Sequence, residues 1–335
     1  MVRAVSLGMS DSVSSMQGGY SLTVESVLDA ENLRKSYAVP GRPQFFAVND
    51  VSLKVDPGEI YAFLGPNGAG KTTTIKMLSG LLEPSTGTVR IAGVDPFTDR
   101  NALTQLGTVL EGNRNLYWRM TCHENLVYFG VLKGMTFSDA RVRSRELLQR
   151  FSLTAKRDAQ VQALSRGMQQ KLAIAVALMH RPRLLLLDEP TLGLDAHASI
   201  EVTAMVRDLL ADGVGILLTT HQLDVAQALA HRVAIMSSGK IVKEARMSDL
   251  LAEYARNMYE IHLADAVDPD RMRALKAMFT VSYGDQCLQL ACDPDGLYEA
   301  LSIIRPVHVH SIRRHQSDLT SIFIAMTQEK AVAHA

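Results

Sequence analysis

Cysteine, tryptophan and any surplus of charge are what this 335-residue chain has least of. Its three cysteines, Cys122, Cys287 and Cys292, include no C-x-x-C pair, so no disulfide framework or zinc-ribbon pattern is written here, and the odd count suits a reducing compartment. Lys+Arg at 35 balances Asp+Glu at 35 for a formal net charge of +0. That balance excludes bulk attraction to nucleic acid or to an anionic membrane surface; any such partner must be recognised locally. No apolar run approaches the ~20 residues that cross a bilayer. The Ser- and Gly-rich opening SLGMSDSVSSMQGGYS lacks a signal-peptide core, and residues 1–24 read as a flexible lead-in.

What is present is the composition of an ordinary globular protein, 47% hydrophobic and 21% charged, at a length that suits two domains. The apolar alternation FFAVNDVSLKV and the buried-strand run IYAFLG lead into glycines, and KTTTIKMLSGLL follows at helical spacing. From about 113 to 163 the pattern changes to long amphipathic helices (HENLVYFGVLKGM, DARVRSRELLQRF), a helical insertion. The alternation then resumes: a helix through KLAIAVALMH, the run RLLLLDEP, a helix SIEVTAMVRDLL and the strand GILLTTH. Strands alternating with helices imply a mostly parallel sheet covered on both faces, an α/β fold with some antiparallel strands. This first unit is read as 25–248. From 249 to 335 the order strand, helix, two strands, helix, strand predicts a small ferredoxin-like α+β domain. In it His308 and His310 share a strand face, which with no acid or thiol in register reads as a polar outer surface rather than a metal site.

Two motifs carry chemistry. GPNGAGKTT fits G-x-x-x-x-G-K-[ST] through Gly65, Gly70, Lys71 and Thr72, and lies between a strand and a helix as that motif requires. The backbone N–H groups of Gly65, Pro66, Asn67, Gly68, Ala69, Gly70, Lys71, Thr72 and Thr73 belong to the stretch that curls around phosphate oxygens, Pro66 apart, which has none to give. Lys71 reaches the β- and γ-phosphates and Thr72 offers a hydroxyl to Mg²⁺. LLLLDEP ends a central strand in adjacent acids at the sheet's carboxyl edge, where open α/β sheets bind ligands. Asp188 is placed to hold Mg²⁺ and Glu189 to face the attacking water as general base. His221 ends the next apolar strand and should reach the same edge, near the γ-phosphate or the lytic water.

GPNGAGKTT, LSRGM, LLLLDEPTLGLD and TTH, in this order and spacing, resemble the nucleotide-binding subunit of an ABC transporter over roughly residues 27–247. The resemblance implies a P-loop ABC ATPase domain that uses ATP and Mg²⁺ and works as a head-to-tail dimer sandwiching two ATPs. It implies that Ser165 and Gly167, in LSRGMQQK, complete the partner subunit's site; Arg166 and Met168 depart from the usual LSGGQ. By the same resemblance Tyr37 stacks on adenine and Asp195 belongs to a loop crossing the dimer interface. The usual glutamine that contacts Mg²⁺ is replaced by Glu111, an added carboxylate that should bind the metal more strongly and repel the γ-phosphate more. Trp118, beside Tyr117 and Arg119, suits contact with a membrane subunit or packing within the helical insertion.

The ending SDLTSIFIAMT is similar to the tail of a small domain in ATPases of the type-2 exporter branch. The expectation is therefore an ATPase peripheral to the cytoplasmic face of the cell membrane, driving export through a separate permease, with no nucleic acid as partner. An ABC ATPase acting on ribosomes or DNA is the alternative; a single set of motifs and a short insertion weigh against it.

Overall fold

The computed structural model describes residues 26–38, 44–110, 116–254, 258–284, 286–314, 319, 320 and 322. Its strands begin with β1 (Leu28–Tyr37), β2 (Phe45–Val55) and β3 (Ile60–Leu64), followed by helix α1 (Lys71–Leu78), β4 (Thr86–Ile91) and β5 (Leu106–Val109). Helices α2 (Cys122–Leu132), α3 (Phe137–Arg150) and α4 (Arg166–Ala177) then run without an intervening strand. The alternation returns with β6 (Leu184–Asp188), α5 (Ala196–Asp208), β7 (Gly215–Thr219), α6 (Leu223–Leu229), β8 (Arg232–Ser237), β9 (Lys240–Arg246) and α7 (Met247–Tyr254).

Strands β3, β6 and β7 are buried at every position, which is why they read as unbroken apolar runs. Successive side chains leave a strand on opposite faces, so each run feeds two cores. Ile60, Ala62, Leu64, Leu185, Leu187, Ile216 and Leu218 enter one, which also holds α2, α3 and α4. Tyr61, Phe63, Leu184, Leu186 and Leu217 enter the other, shared with the antiparallel sheet β2-β1-β4. Each of these leucines contributes about 1.5–3 kcal/mol by leaving water. The main sheet has the order β5-β6-β7-β3-β8-β9, parallel except where β8 meets β9. β3, β6 and β7 therefore point their carboxyl ends the same way, and the loops after all three share one edge.

Helix ends carry the residues expected to stop them. Thr121 and Glu124 form a reciprocal capping box on α2, and Ser165 and Asp195 cap α4 and α5.

The later elements are β10 (Met258–Leu263), α8 (Pro269–Met278), β11 (Thr280–Gly284), β12 (Cys287–Ala291), α9 (Pro294–Ile304) and β13 (Val309–Arg314), forming an antiparallel sheet ordered β11-β12-β10-β13 with its own core. The connectivity is βαββαβ. Two details differ from the sequence reading. The boundary expected at 248/249 falls inside α7, whose Met247 and Leu250 pack into the first core because an i, i+3 pair turns one helix face inward. Leu319 and Ile322 are also buried in that first core, not against the small sheet, and the Leu319 N–H donates to Gln227 Oε1 on α6 at 2.7 Å.

Candidate nucleotide site

The loop between β3 and α1 is forced close to neighbouring backbone. A Cβ on Gly65 would lie 2.4 Å from the Met236 carbonyl oxygen, and one on Gly70 would lie 2.3 Å from the Ala47 carbonyl oxygen. Gly70 also has φ 106, where a side chain is strained whatever the space. Neither position admits another residue without moving a strand. Pro66, Asn67 and Gly68 are exposed, whereas Ala69 is buried and anchors the loop. Lys71 folds over it, its Nζ donating to the Gly65 carbonyl at 2.5 Å and the Pro66 carbonyl at 3.2 Å. Burial pushes the Lys71 ammonium below the usual lysine range, against the opposing pull of Glu189 and Asp188. Thr72 is exposed at the helix start and Thr73 half-buried beside it.

Across the sheet, Asp188 and Thr219 are paired residues of β6 and β7. The Thr219 hydroxyl donates to Asp188 Oδ1, which holds the buried carboxylate in one orientation. Glu189 follows with φ 50, a left-handed conformation costing about 1 kcal/mol or more for a non-glycine residue. Its N–H donates to the Thr219 carbonyl at 3.0 Å. Glu189 Oε1 lies 2.9 Å from His221 Nδ1, while Oε2 is buried with no hydrogen-bond partner. Gly65, Pro66 and Asn67 share a cavity of about 370 Å³ with Glu189 and His221. The two predicted motifs and the predicted histidine thus meet in one place.

A match to the family described as ABC transporter covers residues 48–192. The daunorubicin/doxorubicin resistance ATP-binding protein DrrA of Streptomyces peucetius is 35% identical over 293 residues, 85% of this chain and 89% of that protein. The chain belongs to the ABC transporter ATP-binding family. It is the ATP-binding, ATP-hydrolysing subunit of such a transporter. This ABC ATPase is also 39% identical to the Nod factor export ATP-binding protein I of Paraburkholderia xenovorans (strain LB400), over 72% of this chain and 79% of that protein. Among solved structures, the dimeric post-hydrolysis state of the ATP-binding cassette MJ0796 bound to ADP and Pi superposes with TM-score 0.59 at 28% identity, covering 66% of this chain and 98% of that one.

The ABC ATPase places its other predicted residues apart from the cavity. Ser165 caps α4, its Oγ accepting from the Met168 N–H at 3.3 Å. Gly167 packs against α5, where an added Cβ would come 2.8 Å from Ala198 Cβ. Asp195 caps α5 through the Ala198 N–H at 2.8 Å. None of these lines the cavity formed by the phosphate loop and Glu189 of the same chain. Tyr37 ends β1 opposite Phe45 and is 43% exposed. Glu111 lies outside the described residues.

Three polar residues of the ABC ATPase escaped the sequence reading. Thr219 looked like one more strand position, and only the β6–β7 register shows its hydroxyl on Asp188. Gln222 accepts from the Thr191 hydroxyl, tying the loop after Glu189 to the loop after His221. Buried Asn125 accepts from the Tyr117 N–H at 2.8 Å and donates to the carbonyls of Tyr117 and Thr121, which pins the turn carrying Trp118. Asn125 stands at the head of the run NLVYFGVL, directly after His123 and Glu124, where nothing in the sequence marks it as buried.

Proposed function

We propose that this ATPase drives export of a substrate through a separate permease, as one half of a dimer that sandwiches two ATPs. The observation that carries the mechanism is the Glu189 carboxylate, with one oxygen on His221 and the other buried, unpartnered and beside the phosphate loop. A buried carboxylate oxygen without a partner is costly, and a water held there would satisfy it.

The glycine cradle and the exposed Thr72 hydroxyl, with Asp188 fixed by Thr219, fit a Mg²⁺-nucleotide. Thr72 and Asp188 would hold the metal, joined by Glu111. When bound, Mg²⁺ would neutralise charge on the triphosphate. The residues of the chain do the rest. The loop amides and Lys71 bind and orient the triphosphate. With its Nδ1–H donating to Oε1, His221 fixes the carboxylate, and Oε2 takes the proton of the water that attacks phosphorus. The bond to the bridging oxygen breaks, giving ADP and phosphate, and the proton on Glu189 passes to solvent.

Ser165 and Gly167, turned away from their own chain's cavity, are assigned to the partner subunit's γ-phosphate, with Asp195 at the dimer interface and Tyr37 on adenine. The dimeric cassette structures among the neighbours support this assembly. Export is supported by relatives named for drug resistance and Nod factor export. Docking of a permease is supported by an apolar surface on the helical insertion. Tyr128, Leu132 and Phe137 are each at least 41% exposed there and line a groove of about 440 Å³, with exposed Tyr117 edge-on to Tyr128; Trp118, 50% exposed, lines a separate cavity beside Asp188 and Glu189. Among the described residues no helix is long and apolar enough to cross a membrane, so the pore is assigned to another chain. The cytoplasmic face of the membrane is the corresponding location. We divide the chain into a lead-in (1–24), an ATPase domain running through α7 with its helical insertion at about 113–163, and the small α+β domain after it.

The test is isolation of the tagged protein from membranes in mild detergent. A stoichiometric companion with several membrane spans is expected; recovery with ribosomal proteins or DNA and no such companion would overturn the export reading.

A further inference from the structure

The four-stranded sheet β11-β12-β10-β13 buries one face against α8 and α9 and, among the described residues, leaves the other open. Along β10, Tyr259, Ile261 and Leu263 are buried while Glu260 and His262 are only half-buried. On β12, Leu288 and Leu290 face the core while Cys287 and Gln289 point the other way. The period of two therefore gathers Glu260, His262 and Cys287 on the open face. His262 and Cys287 are directly paired across the two strands. The Cys287 thiol donates to Glu260 Oε1 at 3.5 Å, and His262 Nε2 lies 4.0 Å from Glu260 Oε2. Among the described residues this is the grouping of three metal-capable side chains with donor atoms all within 4.8 Å of one another.

We propose that Glu260, His262 and Cys287 bind a soft divalent cation of the Zn²⁺ type on the open face of the small sheet. A tetrahedral ion with Zn–S ~2.3 Å and Zn–N or Zn–O ~2.1 Å holds its donors ~3.4–3.7 Å apart. The separations, none above 4.8 Å, need to close by about 1.4 Å at most to meet that tetrahedral spacing, which rotamer adjustment of three half-exposed side chains provides. The set is sulfur, nitrogen and oxygen, one of each, leaving a fourth position open to solvent or to a ligand from a partner. That chemistry is distinct from the all-oxygen surroundings of Thr72 and Asp188, so softness sorts the two metals within one chain: thiolate and imidazole select Zn²⁺, hydroxyl and carboxylate select Mg²⁺. An ion here ties β10 to β12 across the middle of the sheet and couples the stiffness of this domain to metal supply. Neither the family match, which ends at residue 192, nor the nucleotide site bears on it.

The test uses the full chain, stripped with chelator and free of nucleotide and Mg²⁺, titrated with Co²⁺ and separately with Zn²⁺. One equivalent of Co²⁺ is expected to give a thiolate-to-metal charge-transfer band that Zn²⁺ abolishes. Cys287→Ser should lose the band, and His262→Gln and Glu260→Gln should weaken binding roughly tenfold or more. Cys292→Ser should leave it intact, because Cys292 packs in the small core beside Gly296. All four positions can be checked for folding by retained ATP hydrolysis. Absence of a charge-transfer band in the parent protein, or its persistence in Cys287→Ser, would overturn the proposal, as would loss in Cys292→Ser alone.

Discussion

Replacing Thr219 by valine removes one hydroxyl hydrogen from the site and little else. Valine matches threonine in volume and keeps the β-branch that β7 favours, so packing is preserved. What is lost is the donor to Asp188 Oδ1, on a residue only 8% exposed. Hydrogen bonds to charged groups contribute about 1.5–3 kcal/mol, and a buried acceptor stripped of its partner bears the full desolvation cost. Thr219→Val should therefore destabilise the ATPase domain by about 2 kcal/mol, lowering its melting temperature by ~4–8 °C for a domain of this size. Because the same carboxylate is assigned to the metal, the apparent Mg²⁺ affinity should change as well. Thr219→Ser keeps the hydroxyl and should recover most of both effects. Denaturant unfolding without nucleotide and hydrolysis rates across a Mg²⁺ series measure the two. If valine is within about 0.5 kcal/mol of the parent, and serine does no better than valine, then Asp188 is not held by this bond and the account of its orientation is wrong.

Glu189→Gln preserves shape but removes the proton acceptor; turnover should fall by about 10²–10⁴-fold and an ATP-bound dimer should accumulate on size exclusion. A variant that stays monomeric with ATP and hydrolyses normally would refute the mechanism. Gly167→Ala should cost about 1–3 kcal/mol because its Cβ meets Ala198, and Ala198→Gly should restore the fold. If the restored double variant also regains full ATP hydrolysis, Gly167 is a packing residue and its assignment to the partner's phosphate fails. His180 is held neutral: burial pushes its imidazole down to about 4, with Nε2 on the Leu106 carbonyl at 3.0 Å. The unfolded chain, titrating near 6.5, takes up the proton first as pH falls. Stability should therefore be complete above about pH 6.5 and decline by about 3 kcal/mol in total by pH 4. His180→Gln should flatten that slope in pH-dependent unfolding, and an unchanged slope would show that other groups set it.

Much of this was legible without coordinates because the decisive signals are local. A glycine loop before a helix, and four leucines before two acids, announce their own geometry: the loop must curl and the strand must be covered on both faces. Contacts between residues distant in sequence were not legible. Thr219 reaches Asp188 only through strand register, Gln222 meets Thr191 across two loops, and the left-handed turn at Glu189 has no glycine or asparagine to mark it. The Glu260, His262 and Cys287 grouping was invisible for the same reason, since two strands separated by a helix and a hairpin bring it together. Trp118 stayed ambiguous because aromatic residues serve packing and contact alike; its exposure favours contact.

The return of Leu319 and Ile322 to the first core turns the small sheet into a loop fastened at both ends. A domain hung from one linker can swivel freely; one fastened at α7 and again on α6 has that freedom removed. The second fastening sits on Gln227, in the helix that follows His221 by a single residue. The end of the chain is thereby tied next to the backbone that carries the histidine, by two buried apolar side chains and one amide hydrogen bond.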